Sequence, residues 1–423
     1  MRPMGTPPST SDELVDQDDF ESDLDVEPSP DDEPRATSHG EIEKPVIDQP
    51  PKWSAFDIGD DDTPVGRKSG RELRAELIEP VESMPGRRTW AHTTSSAISA
   101  YGLLCPKVPK HCEDAPPLFF TPLASKPGET FLGVFDGMGG AGAGRADFDE
   151  KGRPRLEMTE ALLASRLARL ALVKQIADGF TADRRAVKEA LTDQLEKAAR
   201  GLKLESKSRI RGTLTKRLPT TLVLSRVLHE SRNAGRPNVR IVTWWSGDSR
   251  AFLLTPSDGL SALTSDHVRG DDQLEQLRSD PPIENVVNHS TDFTIDESVT
   301  TVAGPFVLLL ATDGVFGYLP SPGFLELGLL EALCGPNGAV AEDLADFCTK
   351  YAADDVSAVM LVSGFKSAAE IADQFTGRLK TLQERYSRIR SMNSNDDEWN
   401  AEVEHLWELE KPTYRRLQGA AGD

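Results

Sequence analysis

Apolar runs separated by polar turns begin near residue 91; the few apolar residues before that point show no period. "TTSSAISAYGLL" (93–104) alternates and predicts a strand, and "FLGVFDG" (131–137) predicts a buried strand that ends at a glycine loop. Two helical stretches follow. "EMTEALLASRLARLALVKQIA" (157–177) puts Leu162, Leu163, Leu167, Leu170 and Val173 on one side. "DRRAVKEALTDQLEKAARGL" (183–202) is amphipathic and opens on an acid suited to an N-cap. Six strand-like runs come next: "TTLVLSRVL", "VRIVTWWSG", "RAFLLT", "SVTTVAG", "FVLLLATDG" and "VSAVMLVSG". Within them, Trp244 and Trp245 read as a strand core and its edge.

Strands, then two helices, then many strands do not make a doubly wound βαβ pattern. The order predicts an α+β fold, a sandwich of two antiparallel β-sheets flanked by α-helices. The C-terminal part turns helical. Ile371, Phe375, Leu379, Leu382, Tyr386 and Ile389 recur at helical spacing, and Trp399, Val403, Leu406 and Trp407 mark another helix after the polar "SMNSNDDE". These helices either pack on the parent domain or bind a partner. The expected division is 1–90 as a disordered acidic arm, 91–365 as the folded domain and 366–423 as a helical extension.

Charge sharpens the division. Of 423 residues, the first 62 hold 19 acids against 4 bases, and the remaining 361 hold 50 against 44. The net charge of -21 is thus mostly a property of the arm, and its sign argues against nucleic acid as a partner. Four cysteines without a C-x-x-C pair fit a reduced, cytoplasmic chain rather than a disulfide framework or a zinc site. The N-terminus has no apolar core of a signal peptide, and no apolar run approaches the roughly 18 residues of a membrane span.

The chemistry lies where apolar runs stop. Asp136 ends "LGVFD", Asp248 ends "VTWWSGD", Asp313 ends "FVLLLATD", Asp354 and Asp355 open "DDVSAVMLV", and Asp114 lies in "HCEDA". One Asp at a strand end is usually a turn residue. Several that converge need counter-charge, because buried carboxylates repel one another. A divalent cation supplies it, and an all-oxygen donor set without clustered Cys or His suits Mg2+ or Mn2+. Two such ions are a device for phosphoryl transfer to water, one acidifying a bridging water and both screening the phosphate oxygens.

In chain order, Glu113-Asp114-Ala115, "GVFDGMGG", "TT", "GDSRAFLL", "LTSDH", "LLLATDGVFGYL" and "DDVSAVMLV" resemble the segments of the metal-dependent protein phosphatases, the PPM or type 2C family, over roughly residues 95 to 363. The resemblance implies a metal-dependent protein serine/threonine phosphatase, with phosphorylated proteins as substrates and a serine/threonine kinase as a natural opponent. It implies two Mn2+ or Mg2+ ions, with a third as in bacterial members. By position, Asp136 would bridge two ions and act in catalysis with Asp114. The carbonyl of Gly137 would ligate one ion. Asp313 and Asp354 would hold the first, Glu113 and Asp114 would act through water on the second, and Asp248 with Asp313 would suit the third.

The chain departs from the family at several positions. Met138 stands where other members have His, and Met cannot give a proton to the leaving oxygen. Pro109 stands where relatives place a phosphate-gripping Arg; Lys110, Lys107, or Arg87 and Arg88 folding back are the substitutes at hand. Phe316 and Gly317 alter "GLWD", Asp355 replaces Asn, Pro219 replaces Gly, and the flap segment between His267 and Phe306 is short.

Two other readings stay open. A degenerate phosphatase fold serving as a binding module is motivated by the missing Arg. A dinucleotide loop is motivated by Gly137, Gly139 and Gly142, although no βαβ unit follows and Asp136 would repel a pyrophosphate. Ser249 and Arg250 read as a turn rather than a nucleophile and its stabiliser, and His267 reads as a structural hydrogen-bonding residue.

Overall fold

In the computed structural model the described residues are 87–95, 98–108, 112–121, 129–139, 159–179, 183–201, 217–229, 238–270, 274, 282–290, 292–392 and 396–418. Nearly all of the acidic arm lies outside them.

Burial along each strand gives its place. Strands β7 (Arg250–Thr255), β10 (Phe306–Ala311) and β11 (Val356–Ser363) are buried at every position, as strands covered on both faces must be. They lie inside a six-stranded sheet ordered β1-β2-β11-β10-β7-β8, completed by β1 (Arg88–Ser95), β2 (Ile98–Cys105) and β8 (Gly259–Ala262). The second sheet is ordered β3-β4-β5-β6-β9. It comprises β3 (Leu118–Phe120), β4 (Glu129–Val134), β5 (Leu222–His229), β6 (Asn238–Ser246) and β9 (Asp296–Ala303). β9 alternates buried and exposed residues at the sheet edge, and both sheets pair antiparallel throughout.

Side chains alternate across each strand, so the two faces enter different cores. Leu308 and Leu310 of β10 meet Leu132, Val134, Val223 and Trp245 between the sheets. Val307, Leu309 and Ala311 point the other way, into a core shared with the later helices. On the outer face of the second sheet, Phe131, Phe135, Leu224 and Trp244 pack under α1 (Glu160–Ala177) and α2 (Arg184–Gly201). The layers run helix, sheet, sheet, helix, as the α+β expectation has it. Trp244 and Trp245 are both buried, on opposite faces of the inner strand β6, so neither marks an edge.

The remaining helices are α3 (Asp313–Phe316), α4 (Pro322–Leu333), α5 (Val340–Thr349), α6 (Ala368–Ser391) and α7 (Asp397–Arg415). Phe375, Leu382, Tyr386, Val403, Leu406, Trp407 and Tyr414 of the last two share one core with α4 and the first sheet. Of the two earlier alternatives, packing on the parent domain describes these helices. "TTSSAISAYGLL" is not one strand: its register turns back between Ser95 and Ile98 to pair β1 with β2. No helix among the described residues is long and apolar enough to cross a membrane, and all four cysteines are free thiols.

Candidate metal centre

Five segments end at one edge of the sandwich. Asp136 follows β4, Asp114 precedes β3, Asp248 sits between β6 and β7, Asp313 opens α3 after β10, and Asp354 and Asp355 precede β11. Burial raises the carboxyls of Asp114, Asp136 and Asp248 well above the usual range, and neighbouring acids add to it. Asp136 feels Asp114, Asp313 and Asp248; Asp248 feels Asp313 and Asp266; Asp114 feels Asp355 and Asp313.

The backbone around each acid is held by named contacts. The Asp136 carbonyl accepts from Thr221 N at 2.9 Å and from Thr220 Oγ1 at 2.6 Å, so the "TT" pair positions the end of β4. Just before that pair, Leu218 has φ 53°, a costly value for a branched residue. Glu160 keeps it there by accepting from Leu218 N at 3.1 Å and from Arg217 Nε at 2.8 Å. Asp114, fully inside, accepts from Thr312 Oγ1 at 2.9 Å. Glu113 accepts from Thr159 Oγ1 at 2.5 Å, and Thr159 is also the N-cap of α1.

Two glycines let these segments interlock. A Cβ on Gly137 would stand 2.6 Å from the carbonyls of Glu113 and Ala161. One on Gly314 would collide with the Asp355 carbonyl. In each "DG" pair the glycine makes room for the backbone that carries another acid of the cluster.

Asp354 and Asp355 have different jobs. Asp355 is buried and accepts from Lys107 N at 2.8 Å and Glu113 N at 2.7 Å, anchoring both sides of the loop before Asp114. Asp354 is exposed, and its Oδ1 accepts from Asp355 N at 2.7 Å. A cleft of about 190 Å³ opens beside them, lined by Lys107, Val108, Glu113, Thr159, Leu162, Asp354 and Asp355. Lys110 lies outside the described residues. Arg87 does not fold back toward the acids; it pairs with Asp346 and donates to the Glu342 carbonyl at 2.5 Å.

Beneath the cluster lies Arg166, which stands out in the sequence only as a charge inside an apolar helix. It is buried and donates to the carbonyls of Cys112 at 2.8 Å, Leu162 at 3.0 Å and Glu113 at 3.3 Å. His267 is structural: its Nδ1 accepts from Gly247 N at 3.1 Å, and its Nε2 faces Asp296 at 3.1 Å. Ser249 is buried against Thr221 Oγ1 at 2.6 Å, and Arg250 pairs with Asp266, so neither is a nucleophile or its stabiliser.

No three His, Cys, Asp or Glu side chains among the described residues are arranged to hold a metal ion directly. The donor chemistry nonetheless fits one. Every group is a hard oxygen, the acids repel one another, and Asp248 Oδ1 is buried without a hydrogen-bond partner. A divalent cation relieves all of these at once.

No family model matches the chain, and no curated protein does. Solved structures match it at low identity. PppA, a key regulatory component of T6SS in Pseudomonas aeruginosa, is 19% identical and covers 66% of this chain and 99% of its own, with a TM-score of 0.39. The serine/threonine phosphatase PstP/Ppp of Mycobacterium tuberculosis is 17% identical over 66% and 100%, with a TM-score of 0.41. MsPP of Mycobacterium smegmatis, a PPM Ser-Thr phosphatase solved with cacodylate, is 17% identical over 64% and 99%, also at 0.41. The chain is similar, over about that share of its length, to bacterial PPM serine/threonine phosphatases.

Proposed function

We propose that this chain is a metal-dependent protein serine/threonine phosphatase that uses Mn2+ or Mg2+. One observation supports the reading: Asp114, Asp136, Asp248 and Asp313, from the ends of both sheets, repel one another in the interior, and Glu113, Asp354 and Asp355 line a cleft with Lys107. Asp136, Asp313, Asp354 and Asp248, with the Gly137 carbonyl, are the proposed ligands, and Glu113 and Asp114 would act through water; a bound ion would have to draw these side chains closer together. Bound ions of this kind acidify water and screen phosphate oxygens.

The chain's own residues do the rest. The Thr220–Thr221 pair and the Asp355 anchor fix the acids before substrate arrives, which favours reaction over reorganisation. Lys107, in the cleft wall, offers the phosphate a point charge in place of a bidentate Arg, and Lys110 is a second candidate for that task. Met138 cannot donate a proton, so the leaving serine or threonine oxygen takes its proton from water.

A second reading, a phosphatase fold kept as a binding module, is favoured by the lack of three converging ligand side chains among the described residues. Phosphate release from phosphoserine, phosphothreonine and phosphotyrosine peptides separates the two. The phosphatase reading expects turnover of the first two with Mn2+ or Mg2+, abolished by chelation. Metal binding without turnover on any peptide would favour the binding module.

A further inference from the structure

The end of α7 reaches Arg250, two residues after Asp248, and we infer that Tyr414 is a positioning residue for Asp248 and Asp313. The inference rests on the metal reading proposed above. Arg250, two residues after Asp248, is buried, and its Nε donates to Asp266 Oδ1 at 2.8 Å. Its NH1 donates to the Tyr414 hydroxyl at 3.1 Å. Its guanidinium lies 4.4 Å over the ring of Phe316, which closes the short helix that Asp313 opens. One arginine therefore spans the segments of two facing acids, and a C-terminal tyrosine fixes its far side.

The other side of Asp248 is fixed as well. Gly247 donates to His267 Nδ1 at 3.1 Å, and His267 N donates back to the Gly247 carbonyl at 3.0 Å. His267 directly follows Asp266, so the ion pair to Arg250 and the clamp on Gly247 belong to one short segment. That segment is tied to the α7 end through Gln418, which donates to the Thr264 carbonyl at 2.7 Å, and through Ser261, which donates to the Thr413 carbonyl at 2.8 Å. Asp248 Oδ1 is left as the free ligand atom between two clamps. Tyr414 is itself 2% exposed, with its ring against Trp407 at 5.6 Å and Phe252 at 6.3 Å, so a phenylalanine fits there and removes only the hydroxyl.

The test compares full-length Tyr414→Phe with Tyr386→Phe. Tyr386 is an equally buried tyrosine in the same helical core, and its hydroxyl serves Ser321 and Glu410 instead. Two readouts are taken: Mn2+ binding by calorimetry, and amide exchange at Gly247 and Ala251 in the metal-free protein. Loss of one buried hydrogen bond to a charged group amounts to about tenfold in an equilibrium constant. Tyr414→Phe is expected to weaken the weakest Mn2+ site by about that factor and to speed exchange at both amides. Tyr386→Phe is expected to change neither. Unchanged binding and exchange in Tyr414→Phe, or equal changes in both variants, would overturn the inference. If the unmodified protein binds no Mn2+, the metal reading fails, and the exchange comparison still decides whether Tyr414 positions this segment.

Discussion

Each acid of the cluster stands beside a small or hydroxylic residue, and those neighbours carry much of the geometry. Gly314 is the sharpest case. Alanine there would drive its Cβ into the Asp355 carbonyl, on the same segment that anchors Lys107 N and Glu113 N. Gly314→Ala is therefore expected to destabilise the fold by roughly 1–3 kcal/mol, as overpacking does. Urea unfolding measures that loss, and metal affinity should fall with it. Arg166 gives a second prediction. Arg166→Met keeps the volume but orphans the buried carbonyl of Cys112, while Ser165 Oγ still donates to that of Glu113, and should cost about 1–3 kcal/mol by the same measurement. The acids at strand ends were legible in the sequence because a carboxylate halts an apolar run. Thr159 and Thr312 were not, since nothing local distinguishes a hydrogen-bonding threonine at a site from an ordinary helix-cap or loop residue, and Arg166 showed only as a charge inside an apolar helix, with no sign of the carbonyls it serves.

Elements were legible in proportion to their contrast. β10 and β11 are continuous apolar runs, and α6 presents a clear stripe, so each reads directly from its pattern. α4 is the converse. Pro322 through Leu330 are all buried, Glu326 included, so no polar face reveals a helix. The buried charge of Glu326 is tolerated because Arg378 of α6 pairs with it. β1 and β2 merge into one alternating stretch because the sequence between them carries no glycine or proline to mark a turn. α7 belongs to the core rather than to a tail, since Val403, Leu406, Trp407 and Tyr414 are buried with α4 and α6. Truncation after Ser391 should lower the midpoint of thermal unfolding and expose apolar surface that binds a hydrophobic dye. An unchanged melting curve would contradict this placement.

At the scale of the molecule, the two sheets bring acids from distant parts of the chain into one place, and that crowding ties stability to pH. Burial, then neighbouring acids, raises the folded-state carboxyls of Asp114, Asp136 and Asp248. A raised folded value means the folded chain keeps protons that the unfolded chain has released. The associated stability is complete below about pH 4, the unfolded carboxylate value, and is lost as pH rises toward neutrality. The metal-free protein should therefore lose thermal stability at these groups as pH rises above about 4. Mn2+ needs the deprotonated acids, so it should raise the melting temperature more at pH 7 than at pH 5. A larger shift at pH 5 would argue against the acids as ligands.

The central claim is that this acid cluster, loaded with metal, hydrolyses phosphoserine or phosphothreonine. The rate of phosphate release from a phosphothreonine peptide during Mn2+ titration tests it most directly, with the unmodified chain beside Asp136→Asn. The account predicts a saturable, metal-dependent rate that falls by about a thousandfold in the variant while the fold survives. An equal rate in the variant, or a rate indifferent to metal, would contradict it.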